Sequence, residues 1–251
     1  MSVIAIASLL LSQVSTAQAP ITLLYQPKVG SSYKNIMTMT QSGQMGDSSM
    51  TSTITTKVLS FEEGFYKLEG TTSDVKTTGG PAPAVPDKPS IMYVDQHFQP
   101  KVVADSNSSD AQKMMSGMSK ALSGVLFPTK PVNIGDTWTN AIDFGALMGA
   151  VIKQEGLKTT GKINIGYKLV KADAAVVTIG ATIGGTVTMD MSGTAGADGM
   201  KIPMTFAGGG TSTMDRATGV PLTNNMKMTL KMELGGQTMD IAMTIVIKPA
   251  S

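Results

Sequence analysis

The sequence predicts a mainly β protein: a curved antiparallel sheet or half-barrel, built as two pseudo-repeated sheets or one continuous sheet, with one covering helix near residues 109–125. Three observations carry this expectation. Apolar and polar residues alternate over long stretches, which is the period of a half-buried strand. The chain of 251 residues has 27 Gly, abundant Thr and Ser, 41% hydrophobic and only 15% charged residues, a strand-and-turn composition that excludes a disordered chain. One segment alone switches clearly to helical period.

Residues 1–17 come first. An apolar run from Val3 to Leu11 followed by small and polar residues has the outline of a signal peptide, although no Lys or Arg precedes it. Cleavage is expected after Ala17, since cleavage after Ala19 would leave Pro20 directly behind the scissile bond. The stretch is too short to span a bilayer, and without Cys the chain carries neither a disulfide nor a lipidated N-terminal Cys. The expectation is an exported protein, periplasmic or extracellular, with no transmembrane segment.

Residues 18–127 read as an N-terminal β half plus the helix, and residues 128–251 as a C-terminal β half of one continuous domain. Strands are expected at Tyr33 to Met45, Met50 to Phe61, Phe65 to Lys76 and Ile91 to Val94, with a proline-rich loop at residues 79–86. From Ala111 to Val125 apolar residues recur at three and four, and Ser109 with Gln112 forms a capping box. A second, weaker helical pattern covers Phe144 to Gln154.

In the C-terminal half, Ile163 to Leu169 and Val177 to Met189 alternate around a turn at Ala172 to Ala174, with Gly184 and Gly185 bending the longer strand. Met200 to Phe206 gives another strand. Leu222 to Leu234 and Met239 to Ile247 flank the hairpin signal Gly235-Gly236 and should pair antiparallel. Each half also opens on a Gly turn with an aromatic three residues later, Gly30 with Tyr33 and Gly135 with Trp138, and later carries an Asp-led turn, at Asp95 and at Asp215. These matched landmarks fit an old duplication.

Lys28-Val29-Gly30, Val132 to Trp138 (VNIGDTW) and Asp215 to Gly219 (DRATG) resemble a family of uncharacterised bacterial secreted and lipid-anchored domains with a Lys-x-Gly start, a Val-x-x-Gly-Asp-x-Trp centre and an Asp-x-x-Thr-Gly hairpin. The resemblance implies a fold and no mechanism. The strand–helix–strand order is also similar to the half-barrels of lipoprotein-localisation factors and mycobacterial lipid carriers, in architecture only.

Composition narrows function further. A formal charge of +2 spread over scattered lysines argues against a nucleic-acid partner. Nucleophilic catalysis needs a base beside Ser, Thr or Cys, and the chain has one His and no Cys. His97 reads as an exposed turn residue, Asp190, Asp215, Glu233 and Asp240 as solvated carboxylates, and Gly208 to Gly210 as a turn or bulge lacking the strand-to-helix setting of a phosphate cradle. Neither an enzyme nor a cofactor is expected. Trp138, in its Gly-Asp-Thr-Trp turn, is expected to plug the end of the core, with Gly135 at positive φ and Asp136 bonding nearby backbone.

Twenty methionines remain. Met37, Met39, Met189, Met226, Met228, Met232 and Met239 fall at alternate strand positions among Leu, Ile and Val, and Met114, Met115 and Met118 share a helix face with Leu122. Thioethers select Cu(I), yet no His or Cys accompanies them and they are spread along the chain. Flexible, polarizable Met side chains suit a wall that adapts to varied apolar shapes. The expected function is therefore non-enzymatic: binding or carrying an apolar small molecule or lipid. The alternatives are an envelope structural or interaction domain with no ligand, and a Met-based Cu(I) site.

Overall fold

The computed structural model describes residues 19–44, 46–79, 89–101, 125–143, 158–191 and 199–250. They form ten strands: β1 (Ser32–Gly43), β2 (Ser48–Glu62), β3 (Phe65–Thr78), β4 (Ser90–Asp95), β5 (Thr137–Asp143), β6 (Lys158–Ala172), β7 (Val176–Asp190), β8 (Lys201–Asp215), β9 (Pro221–Leu234) and β10 (Gln237–Pro249). The helix expected at 109–125, with Met114, Met115, Met118 and Leu122, and the weaker one at 144–154 lie outside the described residues, Val125 apart.

All ten strands belong to one open antiparallel sheet in the order β4-β3-β2-β1-β10-β9-β8-β7-β6-β5. One continuous sheet is thus the answer to the choice between one sheet and two. The join is between β1 and β10, where Met37 faces Ile247 and Met39 faces Ile245. Both strands carry their apolar residues on the same parity, so pairing them continues one apolar face.

Two expectations change. Gly208, Gly209 and Gly210 are neither turn nor bulge but lie inside β8, paired with Met228, Lys227 and Met226 of β9. A methyl group on Gly210 would run into the Asn225 carbonyl oxygen and come within 2.8 Å of the Met226 Cα, so the strands close up here only because there is no side chain. Trp138, read from sequence as part of the Gly-Asp-Thr-Trp turn, instead sits on strand β5, which begins at Thr137 because pairing with β6 extends the chain directly after the turn.

The two Gly turns are clamped in the same way. Gly30, with φ of 84°, donates its amide to the Val58 carbonyl, and Val58 donates back to Ser31. Gly135, with φ of 100°, donates to Leu169, and Leu169 donates back to Asp136. In each case a register shift follows the clamped residue, after Val58 and after Leu169. The Asp-led turns also match: Asp95 Oδ1 accepts from the amides of His97 and Gln99, and Asp215 Oδ1 from the amide and hydroxyl of Thr218.

Nine inter-strand steps of about 4.8 Å would hold the edges of a flat sheet about 43 Å apart. At one end they nearly meet. Leu126 O accepts the Trp138 indole N–H at 2.7 Å on the β5 edge, while the amide of the next residue, Phe127, donates to His97 O just beyond the β4 edge at 2.9 Å. Residues 19–27 cross the same end: Ile21 bridges Val132, Tyr25 N donates to Gln96 O, and Gln26 N donates to Thr218 O in the β8–β9 turn. The sheet is therefore curled into a half-barrel closed at this end. Its floor is a buried cluster of Tyr25, Leu68, Val94, Phe127, Leu169 and Val177, in which Tyr25 packs edge-on against Tyr66 and Phe98 at 5.4 and 4.8 Å.

Candidate functional site

Because side chains alternate, the register assigns every strand residue to a face. Apart from Asp74, at a bulge with φ of 53°, every Lys, Asp and Glu of the ten strands stands on the outer face. Exposed ion pairs such as Lys57–Glu69 at 3.2 Å and Lys201–Asp190 at 3.4 Å sit there, each worth about 1 kcal/mol or less. A shallow groove of about 320 Å³ at the outer edge of β1, β2 and β10 is lined by polar residues such as Thr40, Ser49 and Thr244. Asp74 apart, the described strands place no charged side chain on the inner face.

That inner face is organised in rows running across the strands. One row reads Met50, Met39, Ile245, Met226, Gly210, Ala181, Tyr167 and Trp138, from β2 to the β5 edge. The next, further from the closed end, includes Met243, Met228, Gly208 and Ile183. Two rows beyond that, Met239, Met232 and Met204 are direct neighbours on β10, β9 and β8. Of the residues singled out from sequence, Met37, Met39, Trp138, Met189, Met226, Met228, Met232 and Met239 all take this one face.

Burial divides the face. Ile163, Ile165, Val187, Met204 and Met226 are buried, whereas Met37, Met39, Met228, Met232, Met239 and Met243 are half-buried. Sequence reasoning missed Met204 and Met243 as wall residues, although both lie on strand patterns it recognised. It also missed the bare positions Gly208 and Gly210, because only their pairing places them on the inner face, between Met226 and Met228 on β9 and Ala181 and Ile183 on β7. Gly208 is exposed while its neighbour Ile183 on β7 is buried and its neighbour Met228 on β9 is half-buried, which is the profile of an open trough.

Polar residues also enter this face: the row of Met243 and Gly208 ends in Gln41 and Ser48 on one side and Asn140 on the other, and the row between the trough and the closed end is partly polar near its middle. Ser52 of β2, Asn224 of β9 and Ser212 of β8 belong to it together with Met37 and Ile247. Ser52 and Ser212 are buried, and neither Ser52 Oγ nor Asn224 Oδ1 has a hydrogen-bond partner. Leaving such a group unpaired costs about 1–3 kcal/mol.

Trp138 is half-buried, stacked on Tyr167 at 5.6 Å and 22°, and packs on the core at its edge. Asp136 Oδ2 accepts the Asn133 amide at 2.8 Å, as the turn chemistry requires. His97 is half-buried rather than exposed, with its Nδ1 enclosed and unpartnered, because the Phe127 strap covers its turn. Burial raises the Tyr25 hydroxyl pKa, helped by the Tyr33 hydroxyl 3.1 Å away, and burial also raises that of Tyr167. Among the described residues no three His, Cys, Asp or Glu are grouped to hold a metal, and no helix is long and apolar enough to cross a membrane.

No protein-family profile matches the chain, and no curated protein matches it, so the family resemblance read from the Gly-Asp-x-Trp motif finds no counterpart. Among solved structures, the chain is similar to one described as lipid–protein interactions in lipovitellin, at 9% identity and a TM-score of 0.44. The likeness covers 89% of this chain and 25% of that one, so the chain spans about a quarter of that protein's length.

Proposed function

We propose that this protein is an exported, non-enzymatic carrier of an apolar ligand, a lipid or acyl chain held on the inner face of the half-barrel. The single observation behind this reading is the segregation of charge: Asp74 apart, the strands place their Lys, Asp and Glu outside, and β7 to β10 line the inside mainly with Met, Ile, Val and Gly. A sheet that only needed a core could fill that face with rigid Leu and Ile. Half-buried methionines around bare glycines instead make a deformable wall, suited to chains of varied shape.

The test is titration of the purified chain with N-phenyl-1-naphthylamine, an uncharged probe that fluoresces in apolar surroundings, followed by native mass spectrometry after incubation with a mixed lipid extract. Saturable fluorescence enhancement and retained lipid mass are expected. Absence of both sinks the carrier reading and leaves a ligand-free interaction domain at the envelope as the better account. Export is tested separately, by the mass of secreted material. A chain beginning at Gln18 is expected, and retention of Met1 would remove the proposal of export through a cleaved signal.

A further inference from the structure

We infer that the ligand is a neutral lipid whose head carries a hydroxyl, seated with that head against Asn224 and Ser212 and its chain along the Gly210–Gly208 trough. This rests on the apolar-carrier reading and names the chemistry the inner face selects.

The seat is built by register. Asn224 and Ser212 are direct neighbours on β9 and β8, at the point where the trough meets the closed end. From Ser212 the bare floor runs over Gly210 to Gly208, four residues or about 13 Å of strand, and is bounded at its far end by Phe206. Its walls are Met226 and Met228 on one side and Ala181 and Ile183 on the other. Gly208 lies exposed and Ser212 is 3% exposed, so the trough passes from solvent to an enclosed polar end.

Two features of that end decide the head group. The inner face of the described strands offers no cation, so an ionised carboxylate or phosphate would lose its hydration without gaining a counter-charge. Asn224 Oδ1 is an enclosed acceptor without a donor. An alcohol supplies a donor, whereas an ionised carboxylate is acceptor-only. A hydroxyl satisfies both conditions, and a plain hydrocarbon leaves the acceptor unpaired.

The experiment compares three pyrene-labelled probes of equal chain length on the full chain at pH 8: a dodecanol, the corresponding dodecanoate and a dodecyl hydrocarbon. The alcohol is expected to bind about tenfold more tightly than either of the others. Asn224→Leu should reduce the alcohol to the affinity of the hydrocarbon and leave hydrocarbon binding in place, which also reports that the variant is folded. Ser52, three strand steps or about 14 Å along the same row, lies beyond reach of one hydroxyl, so Ser52→Ala should preserve the preference. Equal binding of all three probes, tighter binding of the carboxylate, or an alcohol preference that survives Asn224→Leu overturns the head-group assignment while the carrier reading stands. Binding of none overturns both.

Discussion

Trp138 and His97 lie at opposite edges of a ten-stranded sheet, yet their hydrogen bonds end on consecutive residues, Leu126 and Phe127. That strap ties the two edges together at the closed end, beside the crossing made by residues 19–27. Trp138→Phe removes only the indole donor and should cost about 1 kcal/mol, whereas Trp138→Ala also removes the stack on Tyr167 and should cost about 3 kcal/mol. Urea denaturation measures both. Near-wild-type stability of the alanine variant would mean that the edges are held together by other contacts.

Two glycines in neighbouring strands should respond in opposite ways. A methyl on Gly210 collides with the β9 backbone, and Gly210→Ala is expected to cost about 1–3 kcal/mol. Gly184 has open space around the same methyl and no positive φ, so Gly184→Ala should be neutral or stabilise by up to about 1 kcal/mol. Thermal melts of the pair decide whether the close approach of β8 and β9 is as tight as the geometry requires.

Met204, Met232 and Met239 form the densest run of thioethers across the sheet, and so offer the sharpest separation of apolar wall from Cu(I) site. Changing all three to Leu keeps the volume nearly constant and should cost under about 1.5 kcal/mol per site. Probe uptake is expected to persist, and competition with a Cu(I) chelator to detect no tight site in parent or variant. Tight Cu(I) binding in the parent that disappears in the variant would make the row a metal site.

Alkaline pH should unfold the domain through its tyrosines. Tyr25 is held neutral by burial beside Tyr33, so its folded pKa lies above the unfolded value near 10. Its contribution is therefore fully present below about pH 10 and is lost as the pH climbs from there toward the folded value. Burial moves Tyr33 and Tyr167 in the same direction. Melting temperature is expected to fall above pH 10, and less steeply in Tyr25→Phe, which has no proton to lose at that position. Identical slopes for parent and variant would place the alkaline sensitivity elsewhere.

Local chemistry was legible in the sequence wherever one strand or turn determines it. Alternation at Leu222 to Leu234 and Met239 to Ile247 placed β9 and β10 and their faces, because a period of two is a property of a single strand. Gly30 and Gly135 announced positive-φ turns, and Asp136 its backbone bond, for similarly local reasons. That Met226, Met228 and Met232 share a face with the hydrophobic residues followed from the same period.

Pairing is non-local, and only the tertiary structure decided it. No strand pattern states that β1 joins β10, that Met204 stands beside Met232, or that Gly210 leaves a gap between Met226 and Ala181, since each depends on register between separate strands. The Gly208–Gly210 run looked like a turn because glycine is permissive alone. It is a strand because neighbours on both sides hold it extended. The strap of Leu126 and Phe127 likewise has no periodic signal, and its role comes from the two edges it ties together. The sequence by itself determined which residues are apolar, where the strongly alternating strands run and which face their residues take; the fold decided the rest of the strands and which faces meet, because register and curl are set by contacts between residues far apart in the chain.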